Sequence, residues 1–434
     1  MNRLKGIGAA AVCALGALVA GSVAASGQAV AITNAEIHPV SGPVIPGGTI
    51  VIEGGRITAV GSNVSVPAGA RTIDGTGKIV TPGFMDSSSQ IGLGEIGNGA
   101  PGTQDATTSE DELGASFNPV WAVNPDNTYI PNTRVRGLTS AILRPGGGQL
   151  FTGQGAAIAL DGGTVDEMIR SESVAIYTAM GEAGSVRAGG SRAANYQRIR
   201  DALWDARAKL LSGDDEEADT ADDANEDPRA KGGRSSLNDR NLEALGAVLS
   251  GDTPLVVSAN RVSDLRLALK LKSEFGIAMV IAGGAEGWRV AEELAAAGVP
   301  VIVDATTNLP TFDGLSASLE NAGRLQTAGV EVLLAGGRGI THEAGLVVAN
   351  GMDHAAALRA VTLGPATVWG LSADMGSLDA GKIADVVVWS GDPFELSTSV
   401  EHVFIGGREI PDDSRQQRLF ERYRDLGRYR TIRR

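Results

Sequence analysis

The histidines of this chain limit the metal chemistry that it can perform. There are four, and no two stand in a His-x-His or His-x-x-x-His pattern. They are His38, His342, His354 and His402. A hydrolytic zinc site takes three protein ligands and leaves one position for water. The histidine pattern therefore disfavours zinc hydrolysis, and we predict no metal cofactor.

Serine is the other candidate nucleophile, in the run TPGFMDSSSQIG of residues 81–92. Ser88 would need a base within hydrogen-bond reach, and His342 in GGRGITHEAG is the histidine that could supply it. No G-x-S-x-G elbow surrounds these serines. The alternative, that Ser88 and His342 are ordinary loop residues, stays open beside the catalytic interpretation.

Polar side chains also follow the apolar runs in the middle of the chain. A ligand pocket made from these ends would be lined by Ser88, Gln90, Arg144, Gln154, Asn260, Arg261, Glu286, Asp304, Arg338 and His342. Several arginines in such a pocket favour a carboxylate-bearing ligand, because guanidinium binds carboxylate through two parallel hydrogen bonds. The competing interpretation is that each side chain only satisfies backbone groups of its own loop.

Short apolar runs that alternate with helical stretches would position these residues between 81 and 370. The runs include LTSAILRP, SVAIYTA, TPLVVSAN, GIAMVIAGG, VPVIVDA and VEVLLAGG. Repeated strand–helix units predict a parallel sheet covered by helices, and the length suits a (β/α)₈ barrel. An open doubly wound sheet is the alternative, but no glycine-rich dinucleotide fingerprint follows the first strand.

Strand-rich segments flank this region at both ends. AVAITNAEIHPV and GGTIVIEGGRITAVG precede it, and IADVVVWSGDP and VEHVFIGGREI follow it, all with alternating apolar and polar residues. We predict a composite β-sandwich from residues 28–80 plus 380–412, around a barrel over 81–379. Residues 413–434 form an arginine-rich tail, which we expect to be helical and to pack against the body.

Residues 1–27 have the pattern of a secretory signal peptide, which predicts export to a periplasm. Arg3 and Lys5 precede an apolar run, and small residues follow, so cleavage is expected between about Ala25 and Ala29. An uncleaved anchor is the alternative, disfavoured because the run is short for a membrane span. Cleavage would remove Cys13, the only cysteine, so disulfides would not stabilise the mature protein.

The charge balance excludes one class of partner. Losing two cations with the signal peptide would take the net charge from −14 to −16, which disfavours nucleic acid. Residues 213–236 form an acidic, low-complexity insertion without the ordered spacing of a calcium loop, and we expect a solvated loop. No other apolar run reaches spanning length, so no membrane contact is expected after cleavage.

Three segments resemble the amidohydrolase superfamily, in particular its exported imidazolonepropionase-like branch. They are GGTIVIEGGRITAVG, KIVTPGFMDS and the most specific one, GPATVWGLSADMGSLDAGKIADVVVWSGDPFELSTSVEHVFIGGREI. The resemblance implies a β-sandwich split around a TIM-like (β/α)₈ barrel. It also implies hydrolysis of carbon–nitrogen bonds other than ordinary peptide bonds, by a metal-activated water with an aspartate as base.

The resemblance further implies a zinc-type centre at the barrel mouth. Asp86 matches the aspartate that precedes the family's His-x-His. The ligand positions then fall on Ser88, Gln90, Ser258, Gly283 and Gly337, with Asn260 as the alternative register to Ser258. None of these is a good zinc ligand, so the motif is expected to be absent.

We therefore predict an exported superfamily member that has lost its metal centre. It would bind a small molecule, or support a related amidohydrolase in a homo- or hetero-oligomer. The alternative is an active amidohydrolase that works through an atypical site on cyclic amides or acyl dipeptides.

Overall fold

The computed structural model describes residues 28–95, 104–212, 234–306 and 311–424. The predicted signal peptide, most of the acidic insertion (213–233) and the end of the predicted tail (425–434) lie outside the described residues. Over those ranges the chain forms two eight-stranded sheets, and helices cover one of them. No helix in this part of the chain is both long and apolar enough to cross a membrane.

Five strands at the N-terminal end begin the first sheet. They are β1 (Val30–Ile37), β2 (Ile45–Glu53), β3 (Arg56–Gly61), β4 (Arg71–Asp74) and β5 (Ile79–Pro82). Gly54 and Gly55 join β2 to β3 with φ of 58° and 82°, which a two-residue hairpin turn requires. The alternation of apolar and polar residues thus becomes a hairpin with one buried face.

Eight further strands form the second sheet and pair in chain order. They are β6 (Phe84–Ser89), β7 (Leu138–Leu143), β8 (Phe151–Ala159), β9 (Ile169–Ala179), β10 (Leu255–Ala259), β11 (Met279–Gly283), β12 (Val301–Val303) and β13 (Val332–Leu334). The sheet curves into a nearly closed barrel whose edge strands are β6 and β13. The predicted TIM-like barrel is confirmed.

The barrel departs from the predicted parallel sheet at β8. This strand is antiparallel to both neighbours, β7 and β9, so that part of the prediction is wrong. The reason lies in the connection: only residues 144–150 separate β7 from β8. A parallel crossover needs a dozen or more residues, whereas an antiparallel return needs very few.

Side chains alternate between the inside and the outside of the barrel wall. Met85, Ile142 and Tyr177 belong to an apolar cluster inside the barrel. Phe84 and Ala141 belong to the larger cluster that packs the wall against the helices. The pairing of β6 with β7 shifts between Asp86 and Ser89, where a bulge interrupts the ladder.

Eleven helices lie between β6 and β14 in the described part of the chain. They are α1 (Tyr129–Arg134), α2 (Val165–Met168), α3 (Gly181–Val186), α4 (Arg192–Ser212), α5 (Asp239–Ser250), α6 (Val262–Phe275), α7 (Ala291–Ala296), α8 (Asn321–Thr327), α9 (Ile340–Ala349), α10 (His354–Ala360) and α11 (Leu363–Val368). The Asn238 side chain caps α5, which ends at left-handed Gly251. Short 3₁₀ turns lie at Asp111–Leu113, Pro119–Ala122, Gly287–Arg289 and Gly337–Gly339.

The chain then returns to the first sheet with β14 (Val386–Trp389), β15 (Val400–Ile405) and β16 (Arg408–Glu409). Strand β5 pairs with β1 on one side and β14 on the other, so both ends of the chain share one sheet. The order is β16-β15-β14-β5-β1-β2-β3, with β4 beside β1. Apolar side chains from both parts pack in one cluster, which includes Ile32, Ile50 and Phe404.

The described part of the C-terminal tail lies against the barrel. Helix α12 (Arg415–Tyr423) follows Asp413, whose carboxylate accepts hydrogen bonds from Arg134 of α1. The backbone N–H of Arg415 donates to the Asn132 side chain. Arg134 also pairs with Asp161 after β8, and Arg408 of β16 binds the same carboxylate. These ion pairs fasten the barrel to the first sheet.

Candidate functional site

The end of β6 carries a buried carboxylate that closes the barrel. Asp86 is 2% exposed, and its Oδ2 atom accepts the Gly337 N–H at 3.1 Å. Its Oδ1 atom accepts the Ser88 N–H at 3.2 Å. Burial raises the Asp86 pKa to about 6, against the lowering effect of these donors. Within the described ranges, no cation lies within ion-pair distance of this carboxylate.

The residues at the ligand positions that the resemblance implies offer few donors to a metal ion. Ser88, Gln90 and Ser258 are half-buried, and the Gln90 amide donates to the Arg144 carbonyl oxygen at 3.3 Å. At Gly283, with φ +94°, a side chain would begin 2.4 Å from Asn260 Oδ1. Hydroxyls, an amide and two glycines supply neither thiolate, imidazole nor carboxylate, so the donor set does not fit zinc.

The histidines have other partners. His38 lies 2.8 Å from Glu36, His354 2.8 Å from Asp392, and His402 2.6 Å from Glu409, each measured between ring nitrogen and carboxylate oxygen. Over the described residues, no three His, Cys, Asp or Glu side chains converge as a metal site would require. These histidines stabilise the first sheet and the loop around Asp392.

The structure does not bring Ser88 and His342 into one cavity. His342 lies near the start of α9 and lines a cavity of about 370 Å³ together with Trp389, Phe394 and Leu396. Ser88 does not line that cavity. No described hydrogen bond joins the two side chains, so the geometry offers this serine no base.

Glu286 and Arg261 organise loops. Glu286 is 5% exposed, and its carboxylate accepts the Val262 N–H at 3.1 Å and the Ser316 N–H at 3.0 Å. Arg261 is exposed at the N-cap of α6. Glu286 therefore ties the start of α6 to the segment after β12.

Asn260 and Asp304 share a second cavity, of about 190 Å³, beside β11 and β12. Asn260 accepts the Ala285 N–H, and Asp304 accepts both the N–H and the hydroxyl of Thr306. Their described polar contacts are thus made within neighbouring loops.

Arg144 directly follows β7, and Gln154 lies within β8. Both are half-buried. The Arg144 guanidinium interacts electrostatically with Tyr177, a 3% exposed side chain whose hydroxyl has no hydrogen-bond partner in the described structure. Gly155 makes room for the Tyr177 ring, since an added Cβ would lie 2.6 Å from it. Sequence reasoning missed Tyr177 because its run SVAIYTA reads as an apolar strand.

A third cavity, of about 300 Å³, contains two of the predicted pocket residues, Gln90 and Arg338. We call it the outer-wall cavity. Its remaining lining is Asp86, Ser89, Ile91, Gly94, Gln104, Tyr129, Thr133, Leu138, Ala141, Leu160 and Gly337. The sequence places Asp86 beside the ligand positions. It does not show that α1 contributes Tyr129 and Thr133 to the same cavity, because that depends on packing between distant segments.

A larger surface depression lies elsewhere in the described part of the chain. About 940 Å³ of space lies between α7, α8 and the 3₁₀ turn Gly287–Arg289, and none of the predicted site residues lines it. Five of the ten predicted pocket residues line the three smaller cavities, and the other five line none of these cavities. The five that do are Gln90, Asn260, Asp304, Arg338 and His342.

Comparison with known proteins finds similarity to the amidohydrolase family and to proteins named as hydrolases. Residues 287–410 match the model of the amidohydrolase family. The curated "Amidohydrolase tasK" of Hapsidospora irregularis is 24% identical over 404 residues, which cover 84% of this chain and 40% of that protein. The chain thus spans about two fifths of the length of this relative.

Solved structures cover nearly the whole described chain. A Thermotoga maritima MSB8 amidohydrolase is 27% identical with a TM-score of 0.77, covering 88% of this chain and 99% of that chain. A prolidase solved with N-methylphosphonate-L-proline is 17% identical, with a TM-score of 0.55 and the same coverage. Molinate hydrolase is 20% identical with a TM-score of 0.51, covering 89% and 95%. The latter two show similarity of fold alone.

Proposed function

The chain belongs to the amidohydrolase superfamily, and we propose that it is a member that has given up the metal centre of its hydrolytic relatives. In this proposal the barrel is retained as a scaffold that binds a small molecule or supports a related amidohydrolase. The protein acts after export to a periplasm, as its N-terminal sequence predicts.

The observation that carries the proposal is the chemistry at the family's ligand positions. Gly283 and Gly337 have no side chain to offer, and the Asn260 amide lies where a side chain at 283 would begin. Ser88 and Ser258 offer only neutral hydroxyls, which do not form tight zinc sites. Restoring a centre would therefore need changes at several strands together.

An active hydrolase is the competing function, favoured by the hydrolase names of the relatives. The solved relatives are named an amidohydrolase, a prolidase and molinate hydrolase. Cyclic amides and acyl dipeptides are the probes for such an activity here. Such activity would have to run through an atypical site, because the described residues provide no serine–histidine pair and no zinc donor set.

Hydrolysis assays separate the two functions. The purified chain without residues 1–27 would be incubated with a panel of cyclic amides and acyl dipeptides, with and without added zinc. The proposal predicts no turnover above the buffer rate in either condition. Turnover in either condition that co-purifies with the protein through size-exclusion chromatography would contradict it.

A further inference from the structure

The outer-wall cavity is separate from the barrel lumen. Its apolar side chains, Leu138, Ala141 and Leu160, belong to the cluster between the barrel wall and the helices. The lumen is filled instead by the cluster that contains Met85 and Tyr177. The cavity thus lies on the outer side of the barrel wall, and two of the ligand positions that the resemblance implies, Gln90 and Gly337, also line it. At about 300 Å³ it has the size of a small-molecule site.

One wall of this cavity carries an anion without a cationic partner. Asp86 is 2% exposed, and its described partners are the N–H groups of Ser88, Gly336 and Gly337 and the Ser89 side chain. Burying a carboxylate without a counter-ion costs free energy, and a bound cation offsets that cost. A ligand with an ammonium group would supply that charge.

The rim of the same cavity carries a cation without an anionic partner. Arg338 is exposed, and its guanidinium lies 5.5 Å from the centre of the Tyr129 ring. No carboxylate lies within ion-pair distance of Arg338 in the described part of the chain. Its planar group is free to bind a carboxylate through two parallel hydrogen bonds.

Between these two charges the lining is largely apolar. Ile91, Leu138, Ala141 and Leu160 provide aliphatic surface, and Gln90 is an amide at the edge. An aliphatic side chain would lose water contact there, which favours binding.

We propose that the outer-wall cavity binds a small zwitterion with an aliphatic side chain, such as a free amino acid, with its ammonium group at Asp86 and its carboxylate at Arg338. This inference rests on the proposed function, because Gln90 and Gly337 line the cavity and are taken to hold no metal, and it names the class of ligand that the barrel would bind.

Three matched ligands test it by isothermal titration calorimetry on the full mature chain. L-leucine carries both charges, 3-methylbutylamine lacks the carboxylate, and 4-methylpentanoate lacks the ammonium group. We expect L-leucine to bind at least about tenfold more tightly than either truncated ligand, as the loss of one charge-assisted hydrogen bond requires.

Two variants assign the charges. Arg338→Gln should weaken L-leucine about tenfold or more and leave 3-methylbutylamine unchanged. Asp86→Asn should weaken both amines and leave 4-methylpentanoate unchanged. Arg289→Gln, at an exposed arginine of the depression beside α7, is the control and should leave L-leucine binding unchanged.

Absence of L-leucine binding to the unmodified protein up to its solubility limit would overturn the proposal. So would equal L-leucine affinities in Arg338→Gln and Arg289→Gln. If Asp86→Asn does not fold, the comparison of Arg338→Gln with its control still decides. Binding measured in this way does not depend on turnover, so failure here and failure of the proposed function are distinguishable.

Discussion

Gly337 donates its backbone N–H to Asp86 Oδ2 across 3.1 Å, where the last barrel strand meets the first. In the family pattern Gly337 stands where the catalytic aspartate would be, and Asp86 stands just before the first ligand pair. In this chain the nearby carboxylate therefore comes from strand β6, and it joins the two edge strands of the barrel. Its described contacts are those of a structural residue at the barrel seam.

Removing the Asp86 carboxylate should open that seam. Asp86→Ala leaves the Ser88 and Gly337 N–H groups without their acceptor, and we expect the free energy of unfolding to fall by about 2 kcal/mol. Asp86→Asn keeps an acceptor oxygen and removes a buried charge, so its loss should be below about 1 kcal/mol. Urea unfolding followed by circular dichroism measures both; equal stability of Asp86→Ala and the unmodified protein would refute the structural role.

Asp385 should make stability depend on pH. It is 5% exposed, its Oδ1 accepts the Gly406 N–H at 2.7 Å, and its Oδ2 has no partner in the described structure. Burial raises its pKa from 3.8 to about 6. Since the folded state holds this proton more tightly than the unfolded state, stability is highest below about pH 4 for this group and is lost as pH rises to about 6.

Asp385→Asn removes the cost of burying an ionised carboxylate and keeps an acceptor oxygen for the Gly406 N–H. We expect the variant to match the unmodified protein near pH 4 and to exceed it by about 2–3 kcal/mol at pH 7. Chemical denaturation at several pH values measures the difference, with Asp126→Asn at an exposed carboxylate as the control. If the stability difference between Asp385→Asn and the unmodified protein stays constant between pH 4 and pH 7, the raised pKa of Asp385 is refuted.

Glu286 should hold the segment after β12 in place. Glu286→Ala leaves the Val262 and Ser316 N–H groups without their acceptor, so we expect a loss of about 2 kcal/mol and faster hydrogen exchange at Ser316. Glu286→Gln keeps one acceptor oxygen, so its free energy of unfolding should lie between those of Glu286→Ala and the unmodified protein. The exposed Glu292→Ala is the control. Unchanged exchange in Glu286→Ala would show that the segment after β12 is held by other contacts.

Restoring one motif should not restore the metal. The double variant Ser88→His and Gln90→His returns the His-x-His pair, but Gly283 and Gly337 still provide no donor. Two imidazoles on one strand give weak zinc binding, since a hydrolytic site needs three ligands. We expect zinc to be lost during gel filtration; one retained equivalent with new hydrolysis would mean that the other ligand positions are not vacant.

The sequence predicted the fold well because its signals are local. Alternating residues and glycine turns marked the strands of the first sheet, and alternating apolar and helical stretches marked the barrel. The direction of β8 could not be predicted from its residue pattern, because side-chain alternation is the same in parallel and antiparallel strands. The short connection from Arg144 to Leu150 carried the missing information, since it cannot hold a crossover.

The candidate site was less predictable, because it depends on contacts between distant segments. That Gln90 and Arg338 would share a cavity with Tyr129 follows from the packing of α1 beside β6 and the turn at Gly337–Gly339. Likewise, the sequence predicts Glu286 as a pocket residue from its position alone. Its carboxylate is instead engaged by Val262 and Ser316, and no sequence pattern links those three residues.

The central claim is that this barrel has no metal centre, and metal stoichiometry tests it most directly. The mature chain would be expressed with zinc, manganese and iron in the medium, passed through gel filtration and analysed by inductively coupled plasma mass spectrometry. The account predicts clearly less than one transition-metal ion per chain. One or more ions per chain, retained through gel filtration and removed by chelation together with a hydrolytic activity, would contradict it.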